Sequence, residues 1–340
     1  MKTYIHTLTR RLRCAAGALL LAVGAVGCDN FSEELEPCPE GVRLRMVYDW
    51  NMEFANSFHN RVDCLTLHIF DATGRLIQTR IVDDRALLGD ETWRMDLDLP
   101  AGSYRLVAYG GMACDMASFD YTGGVPATGD HHTSLGVTLQ PRCTSGDDPA
   151  DALLHPLFYG ATDVTVDPQK MEEHTLPMIK DTNNLRLMLQ QLNGDPVDGR
   201  DFDFEITDDN SVLDHDNMPV AGNEVTYLPW ARGQAVAGVT PDGYAARVGF
   251  GELSTSRLVT SCAPRLRITH RESGRTVVDI PLINYLLLVK SEIHAQMPDQ
   301  EFLDRQSEWS ILFFLNDDLS WNKVTIKIND WTVRLNDAEL

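Results

Sequence analysis

The sequence predicts an all-β protein: two tandem β-sandwich domains, residues 42–160 and 161–340, behind an exported leader at 1–27 and an acidic tether at 28–41. Three observations predict it. Short runs of alternating apolar and polar residues recur along the chain, and period-two alternation marks a half-buried strand. Gly, Pro, Asn and Asp punctuate those runs at the spacing of a sandwich. Only residues 282–295 look helical, and the 340 − 27 = 313 residues after the leader exceed what one core comfortably organises.

The leader comes first. Lys2, Arg10, Arg11 and Arg13 precede an apolar run at 14–26. That run is well short of the roughly 20 residues a bilayer-spanning helix needs, so it reads as a signal-peptide core. It ends in Ala25-Val26-Gly27-Cys28, two small residues near a thiol, and this stretch resembles a bacterial lipobox. The resemblance implies that Cys28 is acylated and begins the mature chain. An ordinary secretory signal beside a chance cysteine is the alternative. One acyl chain holds a protein only reversibly, at about 0.8 kcal/mol per buried methylene, whereas two or three on one cysteine make attachment effectively permanent.

Residues 28–41, CDNFSEELEPCPEG, carry Asp29, Glu33, Glu34, Glu36 and Glu40 with two prolines and little that packs. They read as a solvated tether. Acidic residues just after a lipidated cysteine also resemble the export signal of surface lipoproteins, which implies exposure outside a Gram-negative-type outer membrane. The chain carries a net −21, and the leader has four basic and no acidic residues, so the mature protein is near −21 − 4 = −25. Such a surface repels phosphate backbones and anionic headgroups. Nucleic-acid binding is therefore not expected, and membrane attachment falls to the lipid.

With Cys14 and Cys28 set aside, Cys38, Cys64, Cys114, Cys143 and Cys262 remain. An exported compartment permits disulfides, but no C-x-x-C occurs and spacing leaves the connectivity open. Cys64 lies in a strand-like run and reads as a buried free thiol. Cys114 with Cys143 is one pairing open to the chain.

Taken in order, Val42, Leu44, Met46 and Tyr48 alternate with Arg43 and Arg45 in the first strand. Residues 62–70 (VDCLTLHIF) form a second, turned by Asp71-Ala72-Thr73-Gly74 into a third at 76–82. Trp93, Met95, Leu97 and Leu99 alternate up to Pro100-Ala101-Gly102, and 104–109 (YRLVAY) is expected to return as their hairpin partner. Residues 113–151 read as loop, interrupted by one strand at 135–139.

The second half offers strands at 185–192, 202–206, 225–227, 257–260, 266–270 and 276–282. Trp309, Ile311, Phe313 and Leu315, then Val324, Ile326 and Ile328, then Trp331, Val333 and Leu335 form a closing ladder. Residues 65–76 (LTLHIFDATGRL) and 266–277 (LRITHRESGRTV) each read strand, turn, Gly-Arg, strand. A duplicated sandwich produces this likeness, and so does coincidence.

Chemistry is harder to find. No H-E-x-x-H, G-x-S-x-G, Walker loop or dinucleotide fingerprint occurs, so no catalysis, metal or cofactor is expected. His131-His132 would point to opposite faces of a strand. Asp208-Asp209-Asn210 and Asp214-His215-Asp216-Asn217 gather calcium-type oxygen ligands but lack the glycine and terminal glutamate of an EF-hand, so they read as a solvated hairpin loop. Trp93 and Trp309 head apolar faces and read as core rather than as a sugar platform.

Several phrases together resemble one family, the FimB-type fimbrial anchor lipoproteins of type V pili. They are GVRLRMVYDWNMEFANSFHNRVDCLTLHIFDATGRL at 41–76, DLDLPAGSYRLVAYGG at 96–111, SRLVTSCAPRLRITHRESGRTVVDIPLINYLL at 256–287, and SEWSILFFL with VTIKINDWTVRLND near the end. The resemblance implies two transthyretin-like sandwiches, an outer-membrane anchor through Cys28 and a non-catalytic place at the fimbrial base with stalk subunits as partners.

In the stalk subunits of that family, as the resemblance implies, an arginine-specific protease removes the first strand and a neighbour's strand fills the groove. Here cutting at Arg43, Arg45 or Arg61 would part the body from its lipid. The first strand is therefore expected to stay, making the chain a polymer terminus, with residues 324–335 or another edge of the second domain meeting a stalk subunit. An internal core hairpin is the alternative for 324–335. Glycan capture for an uptake system and a tip or accessory subunit are the alternative functions.

Overall fold

The computed structural model describes residues 40–239, 245–290 and 294–335. Their strands run β1 (Gly41–Val47), β2 (Leu65–Phe70), β3 (Leu76–Val82), β4 (Met95–Asp98), β5 (Gly102–Gly110), β6 (Phe119–Tyr121), β7 (Val137–Leu139), β8 (Phe158–Val166), β9 (Met171–Pro177) and β10 (Ile179–Lys180). There follow β11 (Thr182–Gln191), β12 (Phe202–Asp208), β13 (Val212–Leu213), β14 (Val225–Tyr227), β15 (Ala231–Val239), β16 (Ala245–Ser256), β17 (Arg265–His270) and β18 (Arg275–Pro281). Helices α1 (Leu282–Leu287) and α2 (Asp299–Arg305) precede β19 (Glu308–Leu315), β20 (Trp321–Ile328) and β21 (Trp331–Arg334). The fold is all-β.

Two pairs of sheets carry it. A three-stranded sheet, β4-β1-β9, faces a five-stranded one, β10-β8-β5-β2-β3. Val42, Leu44, Leu65, Leu67, Leu97, Leu106 and Leu176 fill the space between them. A six-stranded sheet, β15-β16-β11-β19-β20-β21, faces β14-β12-β17-β18 over Leu185, Leu187, Phe204, Ile268, Ile311 and Phe313. Each alternating strand sends one side chain in two to such a core.

The five-stranded sheet is covered on both faces along β2 and the adjoining parts of β5 and β8. Its second face carries Phe70, Val107, Tyr109 and Tyr159 into the core of the other sheets, and a third sheet, β13-β7-β6, links residues of the two halves. This explains why β2 is buried at every position, although a sandwich strand ordinarily alternates. Strand β8 spans residue 160 and pairs with β5, and β9 pairs with β1 in parallel.

Three expectations are corrected. The segment at 93–99 and that at 104–109 do not pair: β4 joins β1, whereas β5 joins β2 and β8. Leu97 and Leu106 enter the same core from opposing sheets, and a turn that crosses a sandwich leaves the same alternation as a hairpin. Residues 257–260 are not strand, because β16 ends at Ser256 and Arg257 turns into a buried ion pair. The helix at 282–295 shortens to α1 among the described residues.

The cysteines differ as well. Cys64 is bonded to Cys114, not free, and Cys143 is a buried free thiol rather than the partner of Cys114. The Gly111 amide donates to the Cys64 carbonyl, which brings the turn after β5 beside the start of β2. Both Gly-Arg hairpins form, β2 with β3 and β17 with β18, and Gly74 and Gly274 take φ of 78° and 67° at their turns.

Candidate functional site: the sealed first strand and the junction beyond it

β1 is the middle strand of its sheet, antiparallel to β4 and parallel to β9. Its entry is clamped. Glu40 accepts hydrogen bonds from the amides of Ala101 and Gln169, and the Gly41 amide donates to the Lys170 carbonyl at 2.9 Å. Gly41 sits at φ 141°, where a Cβ would collide with the Leu97 carbonyl. The glycine is therefore required for the chain to leave the tether and enter the sheet.

In β1 Val42 and Leu44 are fully buried and Met46 nearly so, as is Tyr48 just past its end. Burying four such side chains contributes roughly 6–12 kcal/mol, comparable with the whole net stability of a domain. Between them Arg43 grips Asp96 with two prongs, Nε to Oδ1 at 2.7 Å and Nη2 to Oδ2 at 2.9 Å. The hydrogen bond from Arg43 holds the Asp96 carboxyl below its usual range. Both flanks of Arg43 are occupied by neighbouring strands, so its peptide bonds cannot enter a protease cleft without unzipping the sheet.

Past Tyr48 the chain meets the second pair of sheets. The Arg305 guanidinium on α2 lies 4.8 Å from the Trp50 ring centroid and 4.5 Å from that of Phe54. Its Nη1 donates to the Asp49 carbonyl at 2.8 Å, while Nε pairs with Glu301. Phe54 holds a left-handed φ of 51°, costly for a bulky residue. Beside it opens a cleft of about 500 Å³ lined by Tyr48, Arg61, Phe158, Lys180, Arg305 and Glu308. Burial pushes the Tyr48 hydroxyl up to about 12 and lowers the Lys180 ammonium, which pairs with Glu308 at 3.2 Å.

A buried charge network stands behind this junction. The Asp181 amide donates to the Leu157 carbonyl at 2.7 Å. Its carboxyl accepts from Asn217 at 2.8 Å and lies 3.8 Å from Arg257, whose guanidinium is engaged with Asp304. Burial pushes Asp181 up to about 7. One cation then serves two carboxyls, and Asp181 is the less well bonded of the two.

The closing ladder forms, with its first strand inside the sheet. β19 runs parallel to β11, β20 pairs with β19, and β21 forms the sheet edge. Asn329 turns β20 into β21 at φ 51°, and its side chain accepts from the Ser310 amide at 2.8 Å. Val324 and Trp331 are 63% and 56% exposed, so this edge shows apolar surface to solvent.

The weaker candidates fall where local chemistry puts them. His131 caps a 3-10 turn beginning at His132, with the two rings 4.6 Å apart rather than on opposite faces of a strand. Asp209 accepts from the Gly222 and Asn223 amides and Asp214 from those of Asp216 and Met218, so these carboxylates are spent on their own turns. No cluster of three ligating side chains fit to hold a metal occurs among the described residues. Trp309 is core. Cys28 lies outside the described residues. Sequence reasoning missed the Arg305 cradle, whose members lie about 250 residues apart in sequence and leave no local signal.

Paired β-sheets with the first strand held inside its sheet and an exposed closing hairpin define an all-β sandwich protein. The chain belongs to the family of fimbrillin-A associated anchor proteins Mfa1 and Mfa2, whose model matches residues 35–337. It is similar to a protein of Bacteroides thetaiotaomicron described as a candidate adhesin, with 48% identity and a TM-score of 0.84 over 89% of this chain and 100% of that one. A second protein from that organism, described as a candidate polysaccharide binder, shares 30% identity and a TM-score of 0.74 over 88% and 99%. The fimbrial anchor protein Mfa2 from Porphyromonas gingivalis shares the fold, with 17% identity and a TM-score of 0.64 over 88% of this chain and 100% of that one. No curated protein sequence matches the chain.

Proposed function

We propose that this chain is attached to the outer membrane through an acylated Cys28, faces the cell exterior, and holds the base of a fimbrium as its non-catalytic terminus. The single observation that carries this reading is β1 held between β4 and β9 directly behind the tether. A subunit whose first groove is already filled by its own strand offers no vacancy there to a neighbour's strand. Growth at that end stops.

On this reading the chain carries two sandwich domains, and the β20–β21 hairpin, with Val324 and Trp331 exposed, is the contact for the first stalk subunit. The thirteen residue steps from Cys28 to Gly41 would reach at most about 45 Å, which keeps the body close to the bilayer. The test is a Cys28→Ala variant in a fimbriated host. Loss of the chain from outer-membrane fractions, together with fimbriae shed into the medium, is the expected result. Retention in the membrane, or fimbriae that stay attached, overturns it.

Glycan capture is the second reading, favoured by a groove of about 410 Å³ in which Trp230 lies beside Asn184, Arg186 and Glu252. It predicts loss of growth on one polysaccharide rather than shed fimbriae.

A further inference from the structure

In the six-stranded sheet Leu185, Leu187, Ile311 and Phe313 point into the core, so the residues between them point outward. Register lines these up in rows. Ala231, Glu252, Arg186 and Ser310 lie side by side on β15, β16, β11 and β19. Two residues along each strand, Gly233, Phe250, Met188 and Leu312 form a second row on the same face. Phe250, Met188 and Leu312 are half-buried and belong to neither core among the described residues. The first row is polar and the second apolar.

The polar row borders the groove of about 410 Å³ that Trp230 lines. Its charges cancel in place. Arg186 donates to Glu252 Oε1 through Nε at 2.7 Å and again through Nη2, while Glu308 at the groove's end carries Lys180 and Asn184. Among the described residues Arg186 Nη1, Glu252 Oε2, the Ser310 hydroxyl and Asn329 Nδ2 are left without a partner. These supply two donors, an acceptor and a hydroxyl that serves as either.

We propose that this strip binds a neutral glycan, laid across the strands with its apolar ring faces on Phe250, Met188 and Leu312 and its hydroxyls toward the Arg186–Glu252 row. The free groups decide the class. Hydroxyls call for donors and acceptors together with no net charge, and the row leaves that set open. A polyanion is opposed by the chain's net −21. A purely apolar occupant would strand four polar groups out of water, each at a cost.

Strand spacing sets the length. Neighbouring strands stand about 4.8 Å apart, so the row from β15 to β19 spans about 14 Å, the reach of about three linked hexoses. The inference rests on the second reading for its groove alone, and holds equally on an anchored fimbrial base.

Affinity electrophoresis of the full-length chain in detergent, through gels holding glycogen, mannan, xyloglucan or polygalacturonate, tests it. Retardation by at least one of the three neutral polymers and not by the acidic one is expected. Calorimetry with oligosaccharides cut from the retarding polymer should show affinity that rises to the trisaccharide or tetrasaccharide and is flat beyond. The neutral double variant Arg186→Ala/Glu252→Ala and, separately, Leu312→Asn should each weaken binding at least tenfold with folded thermal melts, whereas Met188→Leu should bind as the wild type does.

No retardation by any neutral polymer, retention by polygalacturonate, or full binding by both weakened variants overturns the proposal. So does capture of purified fimbriae that the same variants abolish, since a protein then occupies the face. Sugar bound with both variants indifferent removes this site and leaves glycan binding standing. Sugar bound here with growth on that polysaccharide unaffected removes uptake and leaves the site.

Discussion

Arg257 and Asp304 meet through two parallel hydrogen bonds, Nε to Oδ1 at 2.9 Å and Nη2 to Oδ2 at 2.8 Å, with both side chains buried. Breaking one partner of such a pair strands a charge in low dielectric and costs about 3–5 kcal/mol. Asp304→Asn and Arg257→Met are each expected to lose that much in urea unfolding. The double variant should lose less than the sum, because neither charge is then left alone.

Asp181 sets a pH dependence of opposite sign to that of most acids. Its carboxyl ordinarily titrates near 3.8 and in the fold near 7, raised first by burial. The folded state therefore binds the extra proton between those values. The contribution of Asp181 is full below pH 4 and is lost as pH rises through 7, by a few kcal/mol. Asp208, likewise raised by burial to about 7, acts in the same sense. Melting temperatures measured from pH 5 to 8 should descend, and Asp181→Asn should flatten the descent by about half.

His68 works the other way. It is buried between Thr79 and Tyr121, at 3.0 and 2.9 Å, and burial pushes it down to about 4. Held neutral, it contributes stability that is present above pH 6.5 and lost as pH falls toward 4. Because His68 offsets part of the descent set by Asp181 and Asp208, a His68→Gln variant, which keeps a hydrogen-bonding side chain but cannot titrate in this range, should show a steeper fall in melting temperature from pH 5 to pH 7 than the wild type.

The Cys64–Cys114 bond closes a loop of 50 residues. Chain entropy assigns such a closure about 4 kcal/mol. Cys114→Ser is expected to lower the urea midpoint by a corresponding amount, whereas Cys143→Ser, at a buried free thiol, should lose much less.

Limited digestion with trypsin should cut at the exposed Arg61 before it cuts at Arg43, since residues 28–41 hold no lysine or arginine. Mass spectrometry of the early products reads this directly. A fragment beginning at Leu44 under native conditions would show that the sheet opens at β1 more readily than its pairing allows.

Much of the fold is legible in the residues. Arg43 and Arg45 between Val42, Leu44 and Met46 announce β1, and Gly74 and Gly274 announce their hairpins. β15 escapes because ARGQAVAGV has no apolar alternation: its glycine at 233 faces the Phe250 ring instead of bearing a side chain. β2 and β9 mislead in opposite ways. The first alternates as L-T-L-H-I-F, like a half-exposed strand, yet buries Thr66 and His68 as well, while the second is a polar edge that packs only Leu176 fully inside. The junction was hidden for a different reason, since Arg305, Trp50 and Phe54 meet only through tertiary packing and no periodicity encodes them.

The parallel pairing of Gly41 with Met171 has a consequence for how the molecule is made. The strand that is synthesised first must wait for one that follows 171 − 41 = 130 residues later before its second flank is covered. Until then it is an exposed ribbon, and contacts so distant in sequence form late and slowly. The leading strand therefore keeps one flank uncovered until most of the first half of the body has been made and the segment that locks it in place has arrived.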